Sequence, residues 1–398
     1  MIPVIFVVFL LCVIGSRLTT MGVGPISLGA VVTLMLPAIF SVLIAIRARL
    51  VAKTFNMVLP ILLLTILSIF WDVYHFLNGT FRLHNITAIL LGFVLATFYA
   101  AQSVPIDRLR GDFYRLRFLE VLNITSIFYV LMMLYFSTTR TSEPAFVQLS
   151  ILFFSLFLVE YFIVGKSASL YLALIVFGCT VLLGARIVLL AQILIALILI
   201  FVFVKGRFIQ KAMLLIFITS SIAWVLTSGR FQDRMFGGDL GFNIGGYTIN
   251  SSGRAAQWEV IVDSIVSDKY LGSGYSIPEE MFGLARWDHP HNEYLRLLHQ
   301  FGLFGLFLWI WAVIGWIRMI WVLFSTKNDS YSGREFGTPT IKLSAITGLY
   351  VIGVSVVMIT DNTLAYSYIL YPLGLLIGVT SASLTNCSGQ LNPDKKLG

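Results

Sequence analysis

Apolar stretches long enough to cross a bilayer follow one another along most of the chain, parted by short polar breaks. A spanning helix needs about 20 mainly apolar residues. Twelve candidates meet or approach that length, near 2–15, 24–46, 57–72, 86–103, 118–137, 146–164, 168–184, 187–204, 211–227, 298–324, 342–360 and 363–384. The seventh and eighth are separated only by Gly184-Ala185-Arg186. One helix across both would be about 58 Å long at 1.5 Å per residue, against a hydrocarbon core of about 30 Å. The pattern therefore predicts two helices and a tight turn.

The expected fold class is an all-α polytopic membrane protein with about 12 transmembrane helices and one large extracytoplasmic loop containing short helices. Residues 1–227 would hold the first nine spans, 228–297 the polar loop, and 298–398 the last three spans and a cytoplasmic tail. The opening run Met1 to Ile14 has neither a basic stretch nor a small-residue cleavage site. It is expected to be the first retained span and not a removed signal peptide.

Composition agrees with this pattern. The chain is 58% hydrophobic and 12% charged, with a mean hydropathy of +0.91, whereas soluble domains carry roughly 25% charged residues. The net charge of +8 is spread over separate short loops, which excludes a nucleic-acid partner. Cys12, Cys179 and Cys387 are too few and too scattered for a disulfide framework or a metal site. Placing the N-terminus inside puts sixteen basic residues in cytoplasmic segments, among them Arg47, Arg108, Arg115, Lys166, Lys205 and Lys342. Only Arg17, Arg82, Arg140 and Arg186 then fall in short outer loops. The positive-inside rule selects this orientation, with both termini cytoplasmic and the segment 228–297 outside.

Candidate chemistry concentrates in that outer segment. Ser251-Ser252-Gly253-Arg254 precedes an amphipathic run from Ala255 to Val266. A serine there can cap a helix whose first turn holds Arg254, and Trp258 and Val262 form an i, i+4 apolar pair expected to pack onto the membrane domain. Tyr270-Leu271-Gly272-Ser273-Gly274-Tyr275 reads as a turn, without the Lys-Ser/Thr pair of a phosphate loop. Asp288-His289-Pro290-His291-Asn292-Glu293-Tyr294-Leu295 then leads into the tenth span. Pro290 suits a first helical turn, and the N-terminal end of a helix disfavours a protonated imidazole. His291 is thus a candidate proton acceptor, with a helix-capping structural role as the plain alternative. The Asp288, His289, His291 and Glu293 spacing matches no established zinc signature. Arg186, between two apolar spans and without an acidic neighbour, is either a functional guanidinium or one that snorkels to headgroups. Arg318 reads as a snorkelling anchor, and Asp361-Asn362 as a candidate partner for one of the arginines.

These motifs together resemble the O-antigen ligase/polymerase superfamily of bacterial envelope proteins. Pro290-His291-Asn292-Glu293-Tyr294-Leu295 followed by Gly302-Leu303-Phe304-Gly305-Leu306 is similar to the family's His-Asn-x-Tyr-Leu…Gly-Leu-x-Gly-Leu signature. Ser252-Gly253-Arg254, Trp258 and Leu271-Gly272-Ser273-Gly274 resemble its Ser-Gly-Arg…Trp…Gly-x-Gly stretch. Gly184-Ala185-Arg186 stands where members often carry Ser-Arg, with alanine replacing the serine. The resemblance implies metal-independent, cofactor-free inverting transfer of a glycan from undecaprenyl pyrophosphate to an acceptor sugar hydroxyl, on the periplasmic face of the bacterial inner membrane.

Under that resemblance His291 is the general base, and Arg186 and Arg254 hold the pyrophosphate leaving group. His289, Asn292 and Tyr294 join the two arginines in binding substrate. The implied partners are the undecaprenyl-pyrophosphate-linked oligosaccharide, an acceptor glycan or lipid A–core, the lipid bilayer, and a chain-length regulator. A surface-polysaccharide polymerase is the first expectation and an O-antigen ligase the alternative. A secondary transporter is the alternative of another class, although transporters usually show two similar halves and polar groups near mid-membrane. Here the halves look unlike and the polar groups gather in one loop.

Overall fold

The computed structural model describes residues 22–23, 26–27, 52–78, 85–104, 108–139, 144–203, 212, 216, 219–220, 241–244, 247–250, 254–274, 291–328, 339–361 and 363–388. The elements numbered below are those of the described residues. Two short antiparallel hairpins, Gly22–Val23 with Ile26–Ser27 and Gly241–Ile244 with Tyr247–Asn250, accompany a helical bundle. Its helices are α1 (Ala52–Leu77), α2 (Asn85–Ser103), α3 (Arg108–Thr139), α4 (Pro144–Gln148), α5 (Ser150–Val159), α6 (Ser167–Leu183) and α7 (Arg186–Phe203). Then follow α8 (Arg254–Ser267), α9 (Glu293–Asn328), α10 (Pro339–Val357) and α11 (Ser367–Ser388). Among the described residues, five helical stretches are long and apolar enough to cross a membrane: Val58–Leu77, Gly111–Thr139, Phe146–Val164, Glu293–Arg318 and Pro339–Val357. Shorter apolar helices cover Ser167–Leu183, Arg186–Phe201 and Ile369–Ala382. The protein is a polytopic helical membrane protein. The span expected near 2–15, and nearly all of 24–46 and 211–227, lie outside the described residues.

The two-helix reading of 168–204 holds. Gly184 adopts a left-handed conformation (φ 71°) that ends α6, and α7 begins two residues later. Close approach of helices rests on small residues, as expected where lipid offers no hydrophobic drive. In α11, Gly374 and Gly378 lie one turn apart against α2. A Cβ at Gly374 would come within 3.0 Å of the Phe93 carbonyl, and one at Gly378 would clash with the carbonyl of Thr97.

Polar side chains inside the bundle find partners and fix its register. Gln192 Nε2 donates to Ser150 Oγ (2.8 Å) and Thr180 Oγ1 (3.1 Å), tying α7 to α5 and α6. The Tyr129 hydroxyl donates to the Phe146 carbonyl at 2.8 Å, and Thr347 and Thr380 share a 2.9 Å bond. At the opposite end, a π-helical turn (Glu160–Val164) presents the buried Glu160 to three donors. These are Lys166 Nζ (2.9 Å), Ser169 Oγ (2.9 Å) and Asn123 Nδ2 (3.1 Å).

These contacts sort the helix ends. Ile151 and Ile195 both meet α10 at Gly353, near its C-terminus, while Lys342 near its N-terminus feels Glu160 and Lys166. The start of α7, the end of α10 and the start of α9 therefore share one end of the bundle.

Candidate functional site

Helix α9 begins at Glu293, two residues after His291. Asn292 is its cap: the side-chain Oδ1 accepts from the Leu295 amide at 3.1 Å, satisfying one of the donors a helix start leaves orphaned. The expectation that Pro290 opens the helix is corrected. An asparagine cap takes that place, and Pro290 itself lies outside the described residues. His291 sits just ahead of the cap with φ 49°, a left-handed conformation uncommon for a non-glycine residue.

The loop after α10 folds over this helix start. The Glu293 amide donates to the Met358 carbonyl (2.9 Å), and the Tyr294 hydroxyl donates to the Ser355 carbonyl (2.9 Å). Glu293 Oε1 accepts from the Leu364 amide (3.2 Å) and from Arg296 Nη1 (3.3 Å). The Glu293 and Arg296 side chains are 0% and 3% exposed, so each charge depends on the other inside the protein. The clamped loop brings Asp361 Oδ1 to 3.9 Å from His291 Nδ1. Asp361, considered from sequence as an arginine partner, thus faces the histidine.

A second set of contacts supports the same helix from the other side. At Gly302 the backbone leaves helical geometry (φ 68°, ψ −169°), which breaks the helical ladder and frees carbonyls of the preceding turn. The strap Tyr270–Gly274 fills the break. Ser273 N donates to the His299 carbonyl (2.9 Å), Gly274 N to the Gln300 carbonyl (2.9 Å), and Leu303 N to the Tyr270 carbonyl (3.0 Å). Irregular backbone near a bilayer persists only where protein satisfies it in this way. Gly272 (φ 90°) lies so close that a Cβ there would stand 2.5 Å from the Gly302 nitrogen.

His299, 2% exposed, bridges α8 and the strap, with Nε2 3.2 Å from Ser264 Oγ and Nδ1 3.3 Å from Ser273 Oγ. Sequence reading passed over His299; its signal was the pair of glycine motifs whose fit it completes. Helix α8 packs through Gln257, Ile261 and Ile265, with Leu295 and Leu298 of α9 against the two isoleucines. Val262, expected to pack on the protein, instead remains 42% exposed. The buried face lies one step round the helix from the Trp258–Val262 pair.

Of the expected site residues, Arg186 is the first residue of α7, half-buried, at the same end of the bundle as His291. Arg254 opens α8 by its backbone; its side chain and the whole of His289 lie outside what is described. Asn292 and Tyr294 are engaged in holding the helix start. Arg318 is exposed on α9. Among the described residues no group of three metal-ligating side chains converges.

Residues 125–310 match the family model described as O-antigen ligase. The match supports a place for the chain in the O-antigen ligase/polymerase superfamily. The matched segment contains Arg186, Arg254 and His291 together with the motifs that carry the resemblance. It ends before the loop that carries Asp361. A search of curated proteins found no match. That match supports a membrane protein of polysaccharide biosynthesis, of the ligase/polymerase type.

Proposed function

We propose that the protein is a metal-independent inverting glycosyltransferase of the bacterial inner membrane. It moves a glycan from undecaprenyl pyrophosphate to an acceptor sugar hydroxyl on the periplasmic face. In this reading about twelve helices span the bilayer, both termini are cytoplasmic, and residues 228–297 lie outside. The observation that carries the proposal is the approach of His291 to Asp361, at the end of the bundle where α7 begins with Arg186.

His291 Nδ1 faces Asp361, and in this reading Nε2 serves the acceptor. As the acceptor oxygen attacks the anomeric carbon, its proton passes to Nε2 and the bond to the pyrophosphate oxygen breaks. The attack comes opposite the leaving group, so the anomeric configuration inverts. Asp361 stabilises the imidazolium formed. Arg186 and Arg254 meet the charge that develops on the pyrophosphate with fork-shaped, charge-assisted donors. His289, Asn292 and Tyr294 complete the substrate-binding set.

Surface-polysaccharide polymerase is the first reading of the acceptor, with a chain-length regulator as partner. The second reading is a ligase that attaches the glycan to lipid A–core. Purified protein given defined lipid-linked repeat units separates them. Chains that grow without lipid A–core identify a polymerase, and product only with lipid A–core identifies a ligase. His291→Ala lowers transfer by about 10²–10⁴-fold, the usual contribution of a general base, and Arg186→Ala and Arg254→Ala abolish product, all with normal membrane insertion. Near-parental product from His291→Ala would sink the mechanism.

A further inference from the structure

Helix α8 buries one face and leaves an apolar flank largely exposed among the described residues. Next to the buried Ile261 and Ile265 runs a row at one-turn spacing, with Trp258 half-buried, Val262 42% exposed and Val266 51% exposed. Beyond this row the helix turns acidic, with Glu259 and Asp263 exposed. The flank is continued by Leu271 of the strap, 75% exposed. The bond from Leu303 N to the Tyr270 carbonyl sets that strap beside Leu303 and Phe304, 58% and 57% exposed on α9.

The depth of this surface follows from α9. Every buried ionisable or amide side chain in its first turns, Glu293, Arg296, His299 and Gln300, precedes Gly302. After Gly302 the helix is apolar as far as Arg318 and continues to Asn328. That part alone reaches about 40 Å at 1.5 Å per residue, enough to cross a hydrocarbon core of about 30 Å. The break at Gly302 thus separates the polar first turns of α9 from its apolar length, and the exposed strap and α8 flank begin where the exposed apolar side of α9 begins.

We infer that α8 and the strap are seated in the bilayer surface, with Val262, Val266 and Leu271 against phospholipid acyl chains and the acidic ridge turned to water. The occupant is lipid because the flank is continuous with the membrane-facing surface of a span. A helix with one apolar flank, one acidic ridge and a tryptophan on the apolar side also fits the interfacial layer. The seat anchors the element that begins with Arg254 at headgroup depth, independently of which reaction the site performs.

The test uses full-length protein in phosphatidylcholine–phosphatidylglycerol vesicles, with Cys12 and Cys387 replaced by serine and the buried Cys179 retained. Nitroxide labels are placed at Leu271→Cys, Val262→Cys and Asp263→Cys, with Phe307→Cys as the lipid-facing reference. Power saturation is then measured with oxygen and with a water-soluble nickel chelate. The labels at 271 and 262 should favour oxygen, as the label at 307 does, and the label at 263 should favour nickel. Nickel preference at 271 and 262 would show water there, and low access to both reagents would show a protein cover; either result overturns the inference.

Discussion

Replacing Gly272 with alanine probes the joint between the strap and α9. The backbone at Gly272 has φ 90°, and the new Cβ would meet the Gly302 nitrogen at 2.5 Å, the Phe301 carbonyl carbon at 2.8 Å and the Gln300 oxygen at 2.9 Å. All three are main-chain atoms, so no side chain can swing away to make room. The strap must lift, and lifting releases the bonds made by Ser273 N, Gly274 N and Leu303 N. At about 0.5–1.5 kcal/mol net for each bond, their loss costs about 3 kcal/mol. Since each 1.4 kcal/mol is tenfold, local opening becomes about 10²-fold more frequent. Hydrogen exchange in lipid nanodiscs reads this directly. Peptides covering 270–274 and 299–304 should exchange about 10²-fold faster, while the α7 segment around Gln192 keeps the parental rate. Parental exchange in both peptides would show that the alanine is accommodated and that the two glycines do not interlock.

Three further outcomes follow from the site. Asp361→Asn removes a charge 3.9 Å from His291; screened by partial exposure, that is worth about 1–2 kcal/mol. The variant should therefore lose roughly tenfold in kcat with the donor KM kept, measured by single-turnover transfer. Glu293→Gln leaves the buried Arg296 guanidinium without its carboxylate, which costs about 3–5 kcal/mol. It should lower thermal stability in detergent, and Arg296→Met added to it should restore much of the loss. Chelator treatment of the purified protein should leave transfer unchanged, and restoration of activity by an added divalent ion would refute the metal-free reading.

Much of the helical layout was legible because long apolar runs have one stable form in a bilayer. The break at Gly184 was readable from length alone, since a continuous helix would overshoot the membrane. The break at Gly302 was not, because a glycine within an apolar helix is common. Only the approach of Gly272, from a separate motif, shows why the chain departs from helical geometry there. Likewise Trp258 and Val262 show correct helical spacing, but periodicity cannot say whether an apolar flank meets protein or lipid. Pro290 misled because it announces a helix start within a few residues, and the hydrogen bond of Asn292 decides the boundary. His291 stood out through its motif, whereas Asp361 lies 70 residues later in a short polar turn with no pattern of its own. Its proximity depends on Glu293, whose burial and double engagement have no local sequence signal.

The partners of Glu293 emerge from the ribosome at different times. Arg296 follows three residues behind it, whereas Met358 and Leu364 come some seventy residues later. At about 5–20 residues per second of synthesis, a nascent chain spends several seconds with α9 made and its covering loop still unmade. The glutamate–arginine pair balances charge within the helix during that interval, so insertion need not wait for later segments. The imidazole, however, acquires its counter-charge only when the last helical pair has been threaded. On the proposed mechanism, competence for chemistry is thereby delayed to the end of biogenesis, and a chain truncated after α9 should insert in the membrane yet remain inert.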